Sequence, residues 1–134
     1  MTAPGTPLWD ECVQRAEEDF RACLRLQSDV ELFSNIIAFH AQQAAEKYLK
    51  ALMVLNRQDV LRTHDLSTLA QLLQQAGIAV SAVQSELGRL NPFAVNIRYP
   101  GDDVTEDAAR QALNDASTIR VLCRTLLGLD TARP

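Results

Sequence analysis

Residues 39–52, FHAQQAAEKYLKAL, set an imidazole, two amides, a carboxylate and two amines among apolar side chains. Imidazole is the side chain suited by type to act as a general base or a phosphate donor, which makes His40 a candidate for either. At about 100° per residue, His40, Gln43, Lys47 and Lys50 gather on one side of a helix. Across a two-fold axis that arc would meet its own copy and concentrate positive charge. A phosphate or nucleotide cradle is one reading. Ordinary ion pairing is the other, although a Glu46–Lys50 pair contributes only about 0.2–0.5 kcal/mol. Glu46 could instead pin Arg98 or Lys47.

Arg98 and Tyr99, in the segment RYP, form a second candidate group. Arg98 offers a planar fork suited to phosphate oxygens, and Tyr99 a ring for stacking plus a hydroxyl. A residue before proline is biased away from helix, so Tyr99 is expected at a helix end. Asp102, Asp103, Glu106 and Asp107 cluster nearby, but acids collect at helix N-termini without any metal. No metal ligand set is expected. His64 and Asp65 are expected to cap a helix. A ligand role for His40 with His64 needs a third group that no residue supplies.

The elements that must position these groups read as helices. Hydrophobic residues make up 47% of the 134 residues, enough for one domain with its own core. Trp9, Val13, Ala16, Phe20 and Cys23 mark a helix over about residues 7–27, opened by Thr6 and Pro7. Ile37, Ala41, Ala44, Tyr48, Ala51 and Leu55 mark a second over about residues 31–56. Ile36, Phe39 and Val54 lie on its far side, so this helix is expected to touch protein on both faces. Leu66, Leu69, Leu72 and Leu73, followed by Gly77, give a short third helix. Ser81 is a cap for a fourth, carrying Val83, Leu87 and Leu90, kinked at Asn91-Pro92 and ended by Tyr99-Pro100-Gly101. Asp103 with Glu106 resembles a capping box, and Thr105 competes as cap. Ala109, Ala112, Ala116, Ile119, Cys123 and Leu126 form the last stripe, closing at Gly128. There Arg120 and Arg124 suit the helix C-terminus by charge. The fold class is all-α, a helical bundle.

The formal charge of −4 argues against a broadly basic nucleic-acid surface and leaves room for a local patch. Cys12, Cys23 and Cys123 fall within helical patterns and form no spaced ligand pairs, so buried free thiols in a reducing compartment are expected. No run reaches the ~20 apolar residues of a membrane span, and the opening MTAPGTPLWDE is not expected to act as a signal peptide. The expected location is cytoplasmic.

FHAQQAAEKYLKAL, then THDL, then RYP, resembles the bacterial HEPN domains of the type associated with minimal nucleotidyltransferases. The resemblance implies an up-down bundle of four or five helices over residues 1–134, with tails at 1–6 and 130–134, usually homodimeric. It implies a nucleotide- or RNA-binding protein, partnered by a minimal nucleotidyltransferase in a toxin–antitoxin-like pair and needing no cofactor. The candidate nucleotide- or phosphate-binding residues are Arg98 and Tyr99, favoured by the resemblance, and Lys47, Lys50, His40 and Gln43 from the helix arc. Ribonucleases of this family carry an Arg, four to six residues, then a His near the start of the last long helix. Here no His follows His64, so that motif is absent from its place. Arg57 and His64 show such a spacing, but in a loop ahead of the third helix. The absence leans away from an enzyme. The rival readings are a metal-independent endoribonuclease, with Arg98, His40 or His64 as catalytic candidates, and a non-catalytic helical adaptor. Some relatives accept AMP on a tyrosine within Arg-x4-His-x-Tyr, which Tyr99 lacks.

Overall fold

The computed structural model describes residues 8–95 and 98–132. Helices α1 (Trp9–Leu26), α2 (Val30–Leu55), α3 (Leu66–Gln75), α4 (Gln84–Leu90) and α5 (Glu106–Leu127) follow in chain order. Short 3-10 turns lie at Gln27–Asp29, Ser81–Val83 and Asn91–Ala94. No strand occurs among the described residues, and the fold is an all-α bundle.

Thr6 and Pro7 lie outside the described residues. α1 opens at Trp9, with Leu8 at an N-cap that has no side-chain bond. Asp10 and Glu11 in its first turn complement the helix dipole instead. Val13, Ala16, Phe20 and Cys23 are all buried, as their spacing predicts. The three-residue turn at Gln27–Asp29 then returns the chain along α2.

α2 is the central element. It packs on α1 and α5 and also touches α3, α4 and the turn at Asn91–Ala94. From Ile37 to Met53 it buries Ala38, Ala41, Ala44, Ala45 and Ala51 together with Tyr48, Leu49 and Leu52. Small side chains around its circumference let neighbouring backbones come close, which is how one helix can be flanked on several sides. The expectation of contact on more than one face holds within a single chain, although Ile36 is exposed and Phe39 and Val54 are only half-buried. Leu55 lies on the stripe but is the last residue of the helix and 39% exposed.

Capping settles the remaining boundaries. Asp65 accepts from Ser67 N at 3.1 Å and from the Thr68 hydroxyl at 3.0 Å, starting α3. Ser81 opens a 3-10 turn without a side-chain cap, and α4 begins only at Gln84. α4 ends at Leu90, not at Tyr99, because Pro92 turns the chain into the 3-10 segment and Val95 is already extended. Thr105 caps α5 by accepting from Ala108 N at 3.1 Å, while Asp103 is engaged elsewhere. At the far end Gly128 takes φ +75°, a left-handed C-cap favourable to glycine. The last buried residue of α5 is Leu127, with Leu126 37% exposed. A strict 3-4 spacing lags behind a 3.6-residue turn, so over five turns the stripe moves on by one position.

Among the described residues no helix is long and apolar enough to cross a membrane. Cys23 and Cys123 are buried free thiols and Cys12 is half-buried. Burial pushes the thiols of Cys23 and Cys123 up to about 12, so neither is a reactive thiolate at neutral pH.

Candidate functional site

The polar arc of α2 divides into two ion clusters. Towards α1, His40 Nδ1 lies 2.7 Å from Asp19 Oδ1, and Lys47 Nζ donates to Asp19 Oδ2 at 2.5 Å. Asp19 is buried, whereas the side chains of His40 and Lys47 keep 32% and 31% of their surface. Burial alone would raise the Asp19 carboxyl. The bonds from His40 and Lys47 outweigh it and hold the group below its ordinary value.

On the other flank buried Glu46 accepts from Lys50 at 3.1 Å, and its Oε1 lies 2.7 Å from His64 Nδ1. Glu46 therefore pins His64 and Lys50, not Arg98 or Lys47. A pair of amides runs between the clusters. Gln43 donates to Gln42 Oε1 at 2.8 Å, and buried Gln42 donates to the main-chain carbonyl of His64 at 2.9 Å. His64 does not cap α3; Asp65 does. Its ring is instead held from below by a buried carboxylate while 68% of the side chain stays exposed. Arg57, exposed in a left-handed turn at φ 58° after α2, has no bond to His64.

Arg98 and Tyr99 present a different environment. The Arg98 guanidinium lies over the Phe93 ring, 5.9 Å from its centroid. Arg98 Nε is buried and has no hydrogen-bond partner among the described residues, and no carboxylate there pairs with the guanidinium. Tyr99 is 71% exposed. It stands in an irregular stretch, not at a helix end, and its carbonyl accepts from Asp102 N at 2.9 Å across a turn with Gly101 at φ +95°. Asn35 of α2 fixes the end of this loop, donating to Asp103 Oδ1 and accepting from Val104 N, both at 2.8 Å. The RYP loop is thus tied to the first half of α2. Asp102, Glu106 and Asp107 remain exposed, and among the described residues no group of three or more His, Cys, Asp or Glu could hold a metal ion.

Two surface cavities, of about 200 and 270 Å³, are lined by none of these residues; Val30, Ile37 and Arg110 border the first, and Gln71 and Leu87 the second. Neither cavity touches the RYP loop or the polar flank of α2.

The family model for the HEPN domain matches residues 9–126. The chain belongs to the HEPN domain family. No curated protein matches the chain, and no solved structure does. Membership ties this HEPN chain to nucleotide- or RNA-related function. Its last long helix carries no histidine, since the chain's two are His40 and His64.

Sequence reasoning missed the acidic anchors of this HEPN domain. Asp19 and Glu17 were not singled out, although both flank the buried stripe of α1, beside Phe20 and Ala16. A carboxylate at the edge of an apolar stripe needs a partner, and that was the available signal. Glu17 collects Arg120 at 2.7 Å and Arg124 at 3.0 Å from α5. Asp115, buried on α5, likewise takes a two-pronged bond from Arg89, both contacts at 2.9 Å.

Proposed function

We propose that this HEPN protein binds the phosphate of a nucleotide or of RNA through Arg98, with the Tyr99 ring available to stack on a base. The observation that carries the reading is the state of Arg98. Lys47, Lys50 and Arg89 each pair with a carboxylate, and Arg120 and Arg124 share the one carboxylate of Glu17. Arg98 is half-buried on an aromatic ring, with a buried Nε left over. A partly buried guanidinium with no carboxylate partner among the described residues gains from an incoming oxyanion. His40 and Lys47 are held by Asp19, Lys50 by Glu46 and Gln43 by Gln42, so these four are already bonded within the chain.

Our reading extends to a homodimer that is the partner subunit of a minimal nucleotidyltransferase in a toxin–antitoxin-like pair. Support for a second copy comes from Leu32 and Ile36, which flank the kink of α2 at Phe33 and are 73% and 37% exposed, with Val95 56% exposed just ahead of the RYP loop. Sedimentation of the pure protein tests this part, and a monomer at micromolar concentration contradicts it. Binding is tested by titrating adenosine monophosphate and a short single-stranded RNA into wild type and Arg98→Ala. We expect Arg98→Ala to weaken the bound ligand by about tenfold or more. Equal affinity in the two proteins rejects the site.

The arrangement of His64 favours a second reading. An exposed imidazole oriented by a buried carboxylate has the geometry of a general base. A metal-independent endoribonuclease would use His64 as base and Arg98 to stabilise charge on the phosphate. RNA cleaved in EDTA by wild type and spared by His64→Gln supports it; RNA left intact at high protein concentration removes it.

A further inference from the structure

The C-terminal end of α5 places two guanidiniums on one carboxylate. Arg120 Nε and Nη2 donate to Glu17 at 2.9 and 2.7 Å, and Arg124 Nη1 donates to Glu17 Oε1 at 3.0 Å. Arg120 is 3% exposed and lies over the Phe20 ring at 5.2 Å, so its charge sits in a weakly solvated place. Among the described residues, the single charge of Glu17 balances one of the two cations. The remaining donors meet main-chain carbonyls: Arg124 Nε donates to Asp130 O, Arg120 Nη1 to Thr131 O at 3.1 Å, and Arg120 Nη2 to Ala132 O at 2.7 Å. The Asp130 carboxylate does not pair with either arginine. It accepts from Ala132 N at 2.9 Å and shapes the segment itself.

Residues 130–132 are exposed, so they cross the two guanidiniums from the solvent side. A carbonyl satisfies an N–H but brings no charge. An oxyanion offering the same acceptors would add an opposite charge to bonds that the guanidiniums already make as ionised donors. We infer that Arg120 and Arg124 form an oxyanion site covered by the strap of residues 130–132, which takes inorganic phosphate or a phosphate monoester when the strap lifts. The Tyr48 hydroxyl, 3.2 Å from Arg124 Nη1, lies at its inner edge. This site is separate from Arg98 and does not depend on the function proposed for it.

The test titrates inorganic phosphate, and in parallel adenosine monophosphate, into the full chain by calorimetry. Asp130→Ala removes both a nearby negative charge and the bond that shapes the strap. It should tighten phosphate binding by about tenfold, and Arg124→Gln should weaken it by at least about tenfold. Equal affinity of the two ligands identifies phosphate as the recognised group, and tighter binding of the nucleotide adds a nucleoside contact; both support the site. If Arg124→Gln does not fold, Arg124→Lys keeps the charge but not the fork, and unchanged affinity in that variant overturns the inference. It is also overturned if Asp130→Ala binds no better than wild type. Phosphate binding lost in Arg98→Ala and kept in Arg124→Gln would place the ligand at Arg98, sinking this site and sparing the other.

Discussion

The α1 side of the bundle and the RYP loop handle positive charge in opposite ways. Between α1, α2 and α5, Asp19 and Glu17 draw in His40, Lys47, Arg120 and Arg124, and each buried carboxylate has at least two donors. At the loop, Arg98 has an aromatic ring beneath it and no carboxylate among the described residues. Paired charge inside a bundle fixes how helices sit, because breaking a pair leaves a desolvated ion behind. Unpaired charge at a partly buried edge does little for folding and is open to a ligand. The polar arc of α2 belongs mainly to the first kind.

The comparison is broken most easily at Glu17. Glu17→Ala strands both Arg120 and Arg124, and we expect a loss of about 3–5 kcal/mol in urea denaturation. A loss below about 1 kcal/mol would show that the closed side does not hold the helices together. Asp19→Ala should cost less, about 1–3 kcal/mol, since His40 and Lys47 are partly exposed and can rehydrate.

Acid sharpens the contrast further. Burial raises the Glu17 carboxyl, but the bonds and charge of Arg120, with help from Tyr48 and Arg124, bring it below its ordinary 4.5. Asp19 is likewise held below its ordinary 3.8. A carboxyl with a depressed folded pKa is protonated first in the unfolded chain. Its stabilisation is therefore full above the unfolded value and is lost as pH falls through the folded one. Denaturation midpoints should hold steady from neutrality down to about these ordinary values and then drop. Glu17→Gln should flatten that drop; an acid limb as steep as that of wild type would contradict the assignment. The smallest effect belongs to the loop: Arg98→Ala should change stability by no more than about 1 kcal/mol, the scale of its contact with Phe93.

Much of this fold is readable in the chain's spacing. The α2 stripe predicts a helix over about residues 31–56, and Val30–Leu55 is found, with a kink at Phe33 that the stripe does not show. The excess of apolar residues around α2 also predicts its burial on more than one side. Both follow from periodicity, which is local. The choice of Thr105 over Asp103 as cap was not readable, because Asn35 decides it from a distant part of the chain. The partners of the charged groups were hidden for the same reason. Local geometry places Lys47 on a face, but only packing against α1 gives it Asp19. His64 shows the limit clearly: its neighbour Asp65 makes a capping role look natural, while its true partner Glu46 lies in the preceding helix. The Arg98–Tyr99 pair was visible by residue type, and its lack of a carboxylate partner only in three dimensions.

The most direct test of the account measures stability and ligand affinity together on one preparation of Arg98→Ala. The account predicts a denaturation midpoint close to that of wild type and at least about a tenfold loss of affinity for adenosine monophosphate or short RNA. A clear fall in stability with ligand affinity unchanged would make Arg98 a loop anchor and contradict the division of charge on which the reading rests.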